Sequence, residues 1–140
     1  MTNLFDPATA TYEDRYRSLG LVFHSIAGCD RRIIQAEIDA LKHMVKEHWL
    51  AADGSYDDLG IESARYIDVA FDQAREERMP CKAAYERFER EQLQHPERYN
   101  GWTKSLILRT AMAIAQASGS VNREEAALIA RLEKLLARTA

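Results

Sequence analysis

Glycine and proline are scarce in this chain, 6 and 3 among 140 residues. A β-rich protein uses many of both in its tight turns, so the shortage speaks against one. No stretch approaches the ~20 apolar residues that a membrane-spanning helix needs. The opening residues MTNLFDPATA carry neither a basic cluster nor an apolar run, and do not read as a secretory leader. Cysteine is nearly missing as well. Cys29 and Cys81 stand far apart, with no CxxC or Cys/His ligand run around them. That pattern predicts two reduced thiols in a cytoplasmic protein. An excess of positive charge is also lacking. The chain has 19 Lys and Arg against 22 Asp and Glu, a net charge of −3. A nucleic-acid module needs a basic face to displace counterions from phosphate, so no nucleic-acid partner is expected.

What is present is a helical pattern nearly throughout, in a composition that is 46% hydrophobic and 29% charged. These values suit one folded domain over residues 1–140, with 1–10 as a flexible N-terminal segment. Thr11 with Asp14 forms a capping box and predicts a helix from Tyr12, with Tyr16, Leu19, Phe23 and Ile26 on one face. A second helix after Ile33 carries Ile34, Ile38, Leu41, Val45 and His48 at the same spacing and ends near Trp49. The turn-forming stretch LAADGSYDDLG breaks the period. Asp57 or Asp58 then caps a third helix through Ile61, Ala64, Ile67 and Phe71. Pro80 suits the first position of a fourth helix, which points Ala84, Tyr85 and Phe88 inward and stops at His95-Pro96. Asn100 caps a fifth. From Leu106 to Ala117 this helix is apolar on nearly every side, which predicts the central position in the bundle. A sixth starts at Asn122, with Glu125 three residues on, and buries Leu128, Ile129, Leu132, Leu135 and Leu136. The expected fold is an all-α bundle of about six helices with no strand.

The chain also repeats itself. AGCDRRIIQAEIDALKHM, Ala27 to Met44, lies over AQASGSVNREEAALIARL, Ala115 to Leu132. Ala27 meets Ala115, Ile33 meets Val121, Glu37 meets Glu125, Leu41 meets Ile129 and Met44 meets Leu132. Each half reads as an apolar helix, a tight loop, an aliphatic residue, and a glutamate four residues later on a new helix. Here the chain resembles the tellurite-resistance TerB-like family, whose two related hairpins carry A-x-A-D-G-x-(I/V)-x-x-x-E. The resemblance covers roughly residues 15 to 138 and implies an acidic metal-binding surface. Carried over, its loop acid is Asp30 in the first copy and has become Ser118 in the second. Its helix acids are Glu37 and Glu125. The motif glycine is Arg31 in the first copy and Gly119 in the second.

Asp30, Glu37 and Glu125 are therefore the candidate metal residues. Three carboxylates are few for a hard cation that takes six to eight oxygens, and Arg31 stands beside one of them. The expectation is no cofactor, or at most a weakly held divalent cation. The histidines add no ligand set: His43 and His48, and His24 and Cys29, are five apart, whereas metal pairs on a helix sit at i, i+4. His48 reads as a core-edge histidine, and His95 as a helix-end residue. Ser118 and Ser120 lack the strand–helix elbow of a hydrolase, and Gly119 between them reads as a left-handed turn. The mixed-charge run from Asp72 to Asn100, with pairs such as Glu86–Arg90, could form a docking face. Tyr56, Tyr66, Tyr99 and Trp102 would be its aromatic anchors if exposed. The resulting expectation is a non-catalytic module that binds a protein partner or its own copy, in a stress-response context by the family resemblance. The alternative is a divalent-metal-binding or metal-sensing domain.

Overall fold

The computed structural model describes residues 7–29, 32–52 and 62–138. Within them the chain forms an all-α bundle of six main helices and no strand. These are α1 (Pro7–Gly28), α2 (Gln35–Met44), α3 (Tyr66–Glu76), α4 (Cys81–Gln94), α5 (Gly101–Gln116) and α6 (Arg123–Arg138). Short 3-10 turns, Ser63–Arg65 and Pro96–Arg98, lead into α3 and follow α4. The predicted caps Asp57 and Asp58, and Ile61, lie outside the described residues. α1 begins before the expected Tyr12, so Thr11 sits inside the helix rather than at its cap. Pro80 takes the N-cap of α4, one residue before the first helical position.

The central helix is α1 rather than α5. Residues 19–27 are buried without a break, and α1 packs against each of the other five helices. The expectation for residues 106–117 is corrected by a polar edge. Ser105, Arg109 and Gln116 are exposed, one side of α5 facing solvent while Leu106, Ile107, Ala111 and Ile114 face the core. On α1 the polar residues are enclosed because they are small or locally satisfied. Ser25 donates to the Val22 carbonyl at 2.5 Å, and His24 bonds across to the Met79 carbonyl at 2.9 Å. Gly20 lets α3 approach. A Cβ built there would lie 2.5 Å from the Ile67 carbonyl oxygen and 2.8 Å from the Ala70 Cβ.

α2 shows a second departure with a plain cause. It runs on through a π-helical turn, Val45–Trp49, and a last turn, Leu50–Ala52. The Leu50 N–H reaches back five residues to the Val45 carbonyl. The wider turn shifts the phase of the apolar stripe. Trp49 is buried where the regular period places His48, and His48 is half-buried beside it. The Trp49 indole N–H donates to the Thr110 hydroxyl at 3.1 Å, which donates to the Leu106 carbonyl at 2.8 Å. That chain ties the end of α2 to the middle of α5.

α3 ends in a Schellman arrangement: the Met79 N–H bonds the Ala74 carbonyl at 2.9 Å, and the Arg78 N–H bonds the Arg75 carbonyl at 3.2 Å. The left-handed residue of this motif is usually glycine. Here it is Arg78, with φ 55°, the one non-glycine residue at positive φ among those described. Arg78→Gly is expected to raise stability by about 0.5–1 kcal/mol, because glycine meets no Cβ penalty in this conformation. An upward shift of the urea midpoint checks it; a downward shift would mean that the arginine side chain holds the turn.

Candidate functional site

The two repeat loops come first, because the sequence places the candidate metal residues there. Glu37 and Glu125 do equivalent work. The Glu37 Oε1 accepts the Ile34 N–H at 2.9 Å, and the Glu125 Oε1 accepts the Asn122 N–H at 3.0 Å. Both glutamates are buried, 1% and 0% exposed. In the second copy the box is complete, since Asn122 Oδ1 accepts the Glu125 N–H at 2.8 Å. Ile34 has no polar side chain with which to return that bond. The carboxylates thus serve the starts of α2 and α6. Asp30, the third member of the candidate set, lies outside the described residues, as does Arg31.

Ser118 closes its own turn, its hydroxyl 3.3 Å from the Ser120 carbonyl, and Gly119 has φ 108°. Among the described residues no three of His, Cys, Asp and Glu are grouped to hold a metal ion.

Other expected positions separate in the same way. Of the four aromatic anchors, Trp102 is exposed at 56%, Tyr99 is buried, Tyr66 is half-buried under the Arg17 guanidinium, and Tyr56 lies outside the described residues. Glu86 finds Lys82 at 4.0 Å, while Glu91 pairs with Arg98 and Glu89 with Arg131. Several charges of the run from Asp72 to Asn100 thus pair with one another or with α6. A groove of about 820 Å³ lies between the start of α5 and the end of α6, with Leu108 and Leu136 on its walls and Lys104 facing it with Glu133.

The chemistry gathers elsewhere, in a cleft of about 710 Å³. It is formed by the end of α1, the segment leading into α2, and the turn between α3 and α4. His24 and Cys29 line it from α1 and its end, and Cys81 from the first residue of α4. Ile33, Ile38, Met79 and Pro80 make apolar walls, and Arg75 and Arg78 add two cations. His24 is 3% exposed and stacks edge-on to Phe71, with ring centroids 6.0 Å apart. Its Nε2 bonds the Met79 carbonyl, so this nitrogen carries the proton in the neutral ring. Its Nδ1 is buried without a hydrogen-bond partner. Burial pushes the His24 pKa down; the Met79 carbonyl works against that shift and the Arg75 charge adds to it. Burial pushes the Cys81 thiol up. Both thiols are reduced, and they donate to neighbouring carbonyls of the last turn of α1: Cys81 to Ser25 at 3.2 Å, and Cys29 to Ile26 at 3.3 Å.

Sequence reasoning set aside the His24–Cys29 spacing and had no means of bringing Cys81 into the same cleft as His24, since the two stand far apart in the sequence on different helices. The one available signal was a histidine inside an otherwise apolar stretch, LGLVFHSIAG. No helix among the described residues is long and apolar enough to cross a membrane. Comparison with family models, curated proteins and solved structures finds no match for this chain.

Proposed function

We propose that this chain is a non-catalytic, TerB-like helical module of the cytoplasm that acts by binding a partner, in the stress-response setting that the family resemblance implies, with the α1–α4 cleft as its binding site. The observation that supports this reading is where the reactive side chains send their protons. A cysteine nucleophile is activated by giving its proton to an imidazole, or by a depressed pKa. Here His24, Cys29 and Cys81 each bond a backbone carbonyl, and the Cys81 thiol is pushed up rather than down. A buried neutral imidazole, a protonated thiol and apolar walls beside two arginines support a receptor over a nucleophile.

Alkylation tests it. Cys81 is expected to react with iodoacetamide at pH 7 at least about tenfold more slowly than a solvated thiol, followed by peptide mass spectrometry. Its rate should still be climbing at and above pH 9.0, where a thiol of ordinary pKa levels off. Rapid alkylation at pH 7 would reveal a thiolate and return the cleft to catalysis. The same shift has a stability consequence of definite sign. The folded state favours the protonated thiol, so its contribution is complete below pH 9.0 and is lost as the pH rises through the higher folded value.

A further inference from the structure

Cys29 and Cys81 are the only two cysteines of the chain, and the fold brings them to one place. Both line the α1–α4 cleft, and both are partly exposed. Their hydrogen bonds bound how far apart they stand. Cys81 Sγ lies 3.2 Å from the Ser25 carbonyl oxygen, and Cys29 Sγ lies 3.3 Å from that of Ile26. Ser25 and Ile26 are consecutive residues of α1, and consecutive carbonyl oxygens of a helix are about 3.5 Å apart. The two sulfurs are therefore no more than about 10 Å apart. Direction favours them further. Side chains of a helix lean toward its N-terminus, and the Cys29 thiol does so, pointing back to Ile26 on the turn where Cys81 rests. Ser25 and Cys29 are four residues apart, a spacing that shares one helix face.

Little holds the sulfurs where they are. A thiol is a weak donor, and a change of χ1 rotamer carries each sulfur by about 3 Å. Cys29 directly follows the last residue of α1, and Cys81 is the first residue of α4. A backbone adjustment at such helix ends breaks no interior helical bond. Each thiol bonds a carbonyl and not a base, so neither is poised to attack a substrate. Among the described residues no third His, Cys, Asp or Glu joins them to hold a metal ion. The chemistry that two neighbouring thiols can carry out between themselves is oxidation to a disulfide.

We propose that Cys29 and Cys81 form a reversible oxidation site, at which hydrogen peroxide joins them in a disulfide that ties the end of α1 to the start of α4 across the cleft. The Cys29 thiolate attacks one peroxide oxygen. The O–O bond breaks, one water leaves after taking up a proton, and Cys29 becomes a sulfenic acid. Cys81 gives up its proton and attacks that sulfur. The S–O bond breaks, and the hydroxide leaves with the proton as a second water. The two sulfurs lose two electrons, which the peroxide gains. Burial pushes the Cys81 thiol up, so Cys81 suits the second step, in which its partner already stands beside it. A disulfide holds its two Cβ atoms about 3.8 Å apart, so the ends of α1 and α4 draw together and the cleft narrows. The inference goes beyond the binding reading above and does not need it. Rapid alkylation of Cys81 would end that reading without bearing on this one.

The test equilibrates the full chain with mixtures of reduced and oxidised glutathione, both folded and unfolded in urea, and reads intact mass and peptide maps after an acid quench. The folded chain is expected to become lighter by two hydrogen atoms while staying a monomer, with the Cys29 and Cys81 peptides linked. Dithiothreitol should reverse the change. The equilibrium constant for disulfide formation against glutathione should be at least about tenfold larger in the folded chain than in the unfolded one, about 30 mV in potential. The reason is that the fold holds the two thiols nearer than a random chain does. Hydrogen peroxide should give the same linked peptides. Cys81→Ser should stop at the Cys29 sulfenic acid, which dimedone traps. A constant no larger than the unfolded value would overturn the proposal. So would mixed disulfides with glutathione in place of the link, dimers joined between chains, or no dimedone adduct at Cys29 in the variant.

Discussion

Gly20→Ala is expected to destabilise the fold by about 2–3 kcal/mol, measured as a fall in the urea midpoint at unchanged slope. The added methyl would stand 2.5 Å from the Ile67 carbonyl oxygen and 3.0 Å from the Phe71 nitrogen. Both are backbone atoms of α3, so no side chain can rotate away and the two helices must part. Alanine gains about 1 kcal/mol of helix propensity over glycine, which offsets only part of the strain. Gly101→Ala is the control, because nothing lies within 4 Å of a Cβ at that position. It should change stability by less than about 0.5 kcal/mol. If Gly20→Ala is neutral, the α1–α3 crossing is looser than described. The consequence reaches the cleft, since α1 carries His24 and α3 leads to Arg75 and Arg78. A wedge at Gly20 should therefore also weaken whatever the cleft binds.

Glu37→Ala and Glu125→Ala should each cost about 1–2 kcal/mol, the range for losing a helix-capping interaction, and the double variant should lose close to the sum. Each carboxylate accepts the backbone N–H at the start of its own helix. Removing it leaves a partly buried donor without a partner. The measurement is thermal or urea unfolding, carried out with and without EDTA. Equal losses in both conditions identify the glutamates as caps. Losses that disappear in EDTA would show that they act through a divalent cation, and would restore the metal reading for Asp30, Glu37 and Glu125.

The helices were legible because each rests on local rules. Asn100 does cap α5, its Oδ1 accepting the Thr103 N–H at 2.8 Å. The repeat was legible through Glu37 and Glu125, although their burial was not, because an acid at a helix start normally reads as solvated. The central helix was misplaced for a reason that lies in side-chain size. Gly20, His24 and Ser25 look like a polar face when hydrophobicity is counted residue by residue. In the fold, glycine permits close approach, and the other two satisfy a polar atom against a carbonyl. The π-helical turn escaped because one extra residue in a turn leaves no mark on composition, yet it moves burial from position 48 to 49. The cleft was the least legible part. His24 meets the Met79 carbonyl across 55 residues of sequence, and no periodicity relates such partners.

The two tryptophans divide the molecule's optical signal. Trp49 is 3% exposed, tilted 58° to the Phe23 ring, and hydrogen-bonded to Thr110. Trp102 is 56% exposed at the start of α5. Emission from the first should be blue-shifted and shielded from iodide, and emission from the second red-shifted and readily quenched. Loss of the blue component therefore times the separation of α2 from α5, while quenching of the red one registers anything that covers the outer face, so the chain reports both events without an attached label.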